Sequence, residues 1–300
     1  MPSHKYDLIA IDLDGTLIDH HGKIHPDNIA ALAECRKRGV MVSLCTGRAL
    51  IETRPTMKKV GQVDPVIVAG GAIVSDAISE RTLERFTMDT GLVERINAHL
   101  KTQNHASLLL KDPDAAGFDY LCITHGREPG PQSVDIASRW WFERMGVRVR
   151  YLTRLEDDEH PEHTVRVGAC SANVPITDLA SDLHERFHAE VMLQHFNGVL
   201  MPTDRRDIGI ESIHIVEVFN PKADKWQALQ RLAARLGVPE SRTCAIGDQT
   251  NDLSMITHAG LGIAMGNAHE KVMAASKRQT ERCENAGVAR ALERVLSGEW

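Results

Sequence analysis

No stretch of this 300-residue sequence approaches the ~20 consecutive apolar residues of a membrane-spanning helix, which excludes a helical span. Paired cysteines are missing too. Cys35, Cys45, Cys122, Cys170, Cys244 and Cys283 are scattered without any C-x-x-C spacing, which argues against a redox motif or zinc ribbon and predicts buried free thiols. Positive charge is not in excess: a formal net charge of −6 removes the general pull toward nucleic acid or anionic lipid. Neither partner is expected, and any bound phosphate has to be held by a local site. The first dozen residues lack the apolar core and small-residue cleavage site of a secretory signal, so a cytoplasmic location is expected. A P-loop string is absent, and Gly260-x-Gly262 with Gly266 misses the dinucleotide fingerprint by one residue. No internal repeat is present, and oligomeric state has no signature.

What is present is a grammar of short apolar runs and amphipathic segments. Tyr6–Ile11, Pro26–Arg38, Val40–Cys45 and Val66–Ala69 read as strand, helix, strand and strand. The pattern returns near the other end, with a helix from about Asp224 to Leu236 that stops at Gly237, and strands Thr243–Ile246 and Leu261–Met265. The two ends read as halves of one α/β domain with a parallel sheet, residues 1–84 and 210–300. Between them, helical patterns at Gly91–Lys101, Gln132–Met145 and Thr177–Ala189 and strands near Ser107–Leu110, Val165–Cys170 and Val191–Phe196 read as an α+β insert, residues 85–209. The acidic run Glu156-Asp157-Asp158-Glu159 in that insert reads as a solvated loop.

Chemistry concentrates where predicted strands of the first domain end. Asp12-Leu13-Asp14-Gly15-Thr16 follows the first strand, and α/β sheets bind ligands beyond the carboxyl ends of their strands. Residues two apart in extended chain project to one side, so Asp12 and Asp14 can face one substrate, one attacking phosphorus while the other moves a proton. An Asp-Gly turn is the plainer explanation of this string taken alone. The second strand ends in Thr46-Gly47-Arg48, a hydroxyl and small-residue backbone suited to phosphate oxygens, although Thr46 is also a common helix cap. Lys225 opens the helix before strand Thr243–Ile246 and can neutralise a transferring phosphoryl group. Gly247-Asp248-Gln249-Thr250-Asn251-Asp252 adds two carboxylates and an amide after another strand. With Asp12 and a backbone carbonyl, Asp248 can hold magnesium, which prefers hard oxygen ligands.

These four elements, in this order, resemble the motifs of the haloacid dehalogenase (HAD) superfamily of phosphohydrolases. Glu217-Val218 through Pro221 to Lys225, Gly266-Asn267-Ala268 and Glu284-Asn285-Ala286-Gly287-Val288 resemble its Cof-type branch. The resemblance implies a Rossmann-like core with an inserted α/β cap of the IIB type that selects substrate. It implies a Mg2+-dependent phosphomonoesterase acting through an aspartyl-phosphate on small phosphorylated metabolites, sugar phosphates first. In that family Asp12 is the nucleophile and Asp14 the general acid/base and a metal ligand through its carbonyl. Thr46 and Lys225 bind phosphate, Asp248 binds the metal, and Asn251 and Asp252 support.

The sequence departs from the family pattern at Gly70, where asparagine is usual, and at Trp226, where glycine follows the motif lysine. Asn197–Glu211, with Arg205-Arg206-Asp207, is longer than the usual connection. A phosphomutase such as phosphomannomutase shares the DxDGT string, and a sugar-phosphate-binding regulator with an idle site is the non-enzyme alternative. His184-Glu185-Arg186-Phe187-His188 fits the zinc-protease string, but Leu179, Leu183 and Phe187 make the apolar stripe of its helix and no third ligand follows. Adjacent Trp140 and Trp141 read as split between core and surface.

Overall fold

The computed structural model describes residues 4–198 and 209–300. They form two compact units, one from the two ends of the chain up to Glu84 and from Asp224 onward, the other from Arg85 to Ala223. Arg205, Arg206 and Asp207 lie outside the described residues.

The first unit is built on a five-stranded, all-parallel sheet in the order Arg278–Gln279, Leu261–Ala264, Thr243–Gly247, Leu8–Ile11, Met41–Leu44. Every residue of Leu8–Ile11 and of Thr243–Gly247 is buried, the continuous apolar run expected of strands covered on both faces. In register, Ile11 pairs with both Ile246 and Leu44, so Asp12, Cys45 and the strand end Gly247 come together at one edge of the sheet. Helix Pro26–Lys37 begins with proline at its first turn, ends on Arg36 and Lys37, and packs against helix Gly287–Ser297, where Asn28 Oδ1 accepts the Ala289 amide. A separate three-stranded sheet, Val66–Val68, Ile73–Ser75 and Thr82–Arg85, follows the helix Leu50–Val60. Helix Lys225–Arg235 is capped by Asp224, whose side chain accepts the Gln227 amide. A Cβ at Gly71 would stand 2.4 Å from the Asp224 backbone, so only glycine lets the turn Ala69–Gly71 approach the start of this helix.

The second unit is a six-stranded sheet in the order Met192–Gly198, Ile213–Phe219, Thr164–Ala172, Ser107–Lys111, Tyr120–Ile123, Val149–Leu152, antiparallel except for its last pair. Helices Thr90–Thr102 and Thr177–Phe187 cover one face and bury Leu92, Ile96, Leu100, Leu179, Leu183 and Phe187 against it. On a smaller cluster, Ala137 of helix Ile136–Met145 meets Ile210 and Ile213, with Trp140 packed beside them.

The second junction between the units differs from the one expected at 209/210. Residues 210–223 do not belong to the parallel-sheet unit: Ile213–Phe219 pairs along its whole length with Thr164–Ala172 and Met192–Gly198, placing the boundary at Ala223/Asp224 instead of 209/210. Among the described residues, no helix is long and apolar enough to cross a membrane.

Candidate active site

Asp12 is the first residue beyond the central strand, and its amide donates to the Ile246 carbonyl at 3.0 Å. The residue is 5% exposed, and its carboxylate accepts from Lys225 Nζ through Oδ1 at 2.6 Å. The same ammonium, itself 1% exposed, donates to Asp252 Oδ1 at 2.6 Å. The other oxygen of Asp252 accepts the amides of Asp248 and Gln249 at 2.9 and 3.0 Å. Asp252 is thus occupied in holding Lys225 and the turn after Gly247. Asp248 is buried, takes a hydrogen bond from Thr16 Oγ1 at 2.9 Å, and takes another from Gln249 Nε2 at 3.2 Å.

The segment carrying Asp14 is folded back by the Gly15 amide donating to the Ile18 carbonyl and the Ile18 amide donating to the Leu13 carbonyl, both at 2.8 Å. Gly15 has φ +85°, and a Cβ there would meet Asp248 Oδ2 at 2.3 Å, so conformation and contact both demand glycine. Asn267 Nδ2 donates to the Gly15 carbonyl at 2.8 Å while its Oδ1 accepts the Cys283 amide at 2.8 Å, tying this loop to the chain's last segment. The Asp14 carboxylate is half exposed and gripped by both edges of the Arg48 guanidinium, Nε to Oδ2 and Nη2 to Oδ1. Thr46 is 1% exposed, and its Oγ1 accepts the Arg48 amide at 3.2 Å. Gly47 lies between them.

Of the residues expected from sequence, Asp12, Lys225, Asp248 and Asp252 meet in one buried cluster, and Thr46 and Gly47 stand one and two residues past Cys45 at the same sheet edge. Asn251 lies in the turn Thr250–Asp252 with its Oδ1 buried and without a hydrogen-bond partner. Thr16, Arg48 and Asn267 were given no role from sequence. Thr16 and Arg48 stand inside the quoted motifs, but hydroxyl and guanidinium partners more than 30 residues away leave no local mark. Gly70 has φ +70° and donates its amide to the Thr46 carbonyl. Trp226 is buried and stacks on the His258 ring at 5.6 Å between centroids.

The charges are unbalanced. Three carboxylates, Asp12, Asp248 and Asp252, face one ammonium. Burial raises the Asp12 pKa well above the usual carboxylate range, Asp252 and Asp248 add to the rise, and Lys225 opposes it. Burial, then Asp252, push Asp248 up to about 6. Burial works against the Lys225 ammonium, but Asp12 and Asp252 outweigh it and keep it charged. Burial, the largest influence on Cys45, holds its thiol protonated beside this cluster. One ligand atom from each of Asp12, Asp248 and Asp252 lies within 4.8 Å of the others. An excess of buried negative charge, hard oxygen donors and the orphaned Asn251 Oδ1 fit a divalent cation. Both oxygens of Asp252 are engaged by nitrogen donors and those of Asp248 by Thr16 and Gln249, whereas Asp12 accepts from Lys225 through Oδ1.

Residues 9–292 match the family model of haloacid dehalogenase-like hydrolases. The chain belongs to this family. Among its curated relatives is a 5-amino-6-(5-phospho-D-ribitylamino)uracil phosphatase of Bacillus subtilis, 26% identical over 97% of this chain and 99% of its own. Another is the pyridoxal phosphate phosphatase of Escherichia coli, 26% identical over 89% of this chain and 90% of its own. A solved sugar phosphatase of HAD subclass IIB shares the fold with a TM-score of 0.71 at 17% identity, covering 96% of this chain and 98% of that one. The chain is therefore an enzyme of the HAD phosphatase type, with a Rossmann-like parallel-sheet unit and a separate sheet-containing unit.

Proposed function

We propose that this protein is a magnesium-dependent phosphomonoesterase of small phosphorylated metabolites that works through an aspartyl-phosphate on Asp12. The observation that carries the reading is the buried contact of Asp12 with Lys225 at 2.6 Å, set among Asp248 and Asp252 at the carboxyl edge of a parallel sheet. Asp12 attacks phosphorus, the bond to the leaving oxygen breaks, and Asp14 delivers the proton that oxygen needs. Water then attacks the phosphoenzyme, Asp14 recovers its proton, and the bond to Asp12 breaks to release phosphate. Lys225 and the donors of Thr46 and Gly47 neutralise and orient the phosphoryl oxygens. Asp12, Asp248 and the Asp14 carbonyl would hold Mg2+, which offsets charge between carboxylates and phosphoryl group when bound.

Residues 85–223 are proposed as the substrate-selecting cap. The relatives are named for a phosphoribitylamino-uracil, pyridoxal phosphate and HMP-PP, compounds that combine phosphate with a small polar body. Sugar phosphates belong to the same class and are the first to test. Phosphate release from sugar phosphates, pyridoxal phosphate and nucleotides, with Mg2+ or with chelator, compares wild type with Asp12→Asn. The expected result is release that needs Mg2+ and vanishes in the variant. Isomerised sugar phosphate without release would mean a mutase, and neither product on any substrate would overturn the reading.

A further inference from the structure

We propose that the second unit carries a transition-metal site of its own, formed by His160, Glu162 and His163, which takes a zinc-class ion. Pro161 starts a single 3₁₀ turn, Pro161–His163, with His160 as its cap. With about three residues per turn, positions three apart eclipse, so the two imidazoles share a side. Their rings are 5.9 Å apart and inclined by 22°. Glu162 Oε1 stands 3.1 Å from His163 Nε2, near the ~3.4 Å that separates two ligands of a tetrahedral zinc. One ligand atom from each of the three lies within 4.8 Å of the others.

The framework around these side chains is fixed without using them. Lys111 is fully buried, and its three N–H bonds go to Asp158 Oδ2, to the His160 carbonyl at 3.0 Å and to Thr164 Oγ1 at 2.7 Å. Asp158, one of the acidic run that sequence reads as solvated, is 2% exposed in this contact. The Asp112 amide donates to the His163 carbonyl at 2.9 Å. Backbone on both sides of the ligands is therefore tied to the sheet before any ion arrives, the arrangement that preorganises a site. His163 does not behave as a satisfied structural histidine, since its Nδ1 is buried without a hydrogen-bond partner. Two imidazoles and a carboxylate disfavour Mg2+ and Ca2+ and suit Zn2+, and three protein ligands leave one position open. The inference is independent of the proposed hydrolysis, because all three residues lie in Arg85–Ala223.

The test is titration of the metal-stripped full-length chain with Co2+, read by ligand-field absorption in excess Mg2+, followed by competition with Zn2+. One equivalent is expected, displaced by Zn2+, with affinity at least 10-fold weaker in His160→Ala, His163→Ala and the exposed Glu162→Gln. Affinity should be unchanged in Asp248→Asn and in His184→Ala/His188→Ala. Melting curves establish that each variant is folded, and Glu162→Gln decides if a histidine variant is not. Absence of Co2+ binding, binding indifferent to all three substitutions, or binding lost with Asp248 or with the His184/His188 pair would each overturn the site.

Discussion

Arg48 holds both oxygens of Asp14, Nε to Oδ2 at 2.8 Å and Nη2 to Oδ1 at 2.5 Å, across 34 residues of chain. A planar guanidinium can do this and an ammonium cannot. If Asp14 moves the proton, the pair sets where that carboxylate points. Arg48→Ala is expected to lower kcat on the order of 10-fold or more, and Arg48→Lys to recover little of it. The same substitution made on an Asp14→Asn background should cost nothing further. Steady-state kinetics on the four proteins of this cycle measure the coupling, and additive losses would separate Arg48 from Asp14.

Removing Lys225 leaves Asp12 and Asp252 buried without their cation. Lys225→Met should destabilise the chelated protein by about 3–5 kcal/mol, as expected for breaking a buried ion pair from one side. Mg2+ should restore part of the lost Tm, since it supplies charge to the same carboxylates. Thermal melts with and without Mg2+ read both effects, and a variant as stable as wild type in chelator would contradict the first.

The raised pKa of Asp248 sets a pH dependence of unusual sign. Its folded value of about 6 lies above the ordinary 3.8, so the folded protein binds more protons than the unfolded chain between those values. The resulting stabilisation is complete below about 3.8 and is lost as pH rises toward about 6. In chelator, the stability difference between wild type and Asp248→Asn should therefore move against wild type as pH rises through this window. Mg2+ affinity should move the other way, strengthening as the proton leaves. Denaturant unfolding across pH, with the variant as reference, tests the sign.

Gly71→Ala would force a Cβ to within 2.4 Å of the Asp224 backbone, at the start of the helix that delivers Lys225. The expected outcome is a loss of stability of about 1–3 kcal/mol with a disproportionate fall in kcat. A variant with wild-type kcat would show that the helix start tolerates displacement.

Asp12, Asp14, Thr46 and Asp248 stand out in the sequence because each lies in a short string at the end of an apolar run, where α/β topology gathers chemistry, and Lys225 because it opens the helix before the next strand. What sequence could not supply was partnership. Asp252 reads as one more carboxylate, and only its hydrogen bonds to Lys225 and to two amides show that its oxygens are spent on the framework. The strand Ile213–Phe219 falls in the second sheet because it pairs with Met192–Gly198 and with Thr164–Ala172, the latter more than 40 residues away, and local sequence carries no mark of that pairing.

The central strand Leu8–Ile11 has Met41–Leu44 on one side and Thr243–Gly247 on the other. During synthesis the first neighbour is available almost at once, whereas the second emerges only after the whole intervening unit has been made. Until then Asp12 has neither Lys225 nor the Asp248 turn beside it. The buried cluster around Asp12 therefore assembles only after the last strands of this sheet have been made, and a chain clipped before Thr243 cannot form it.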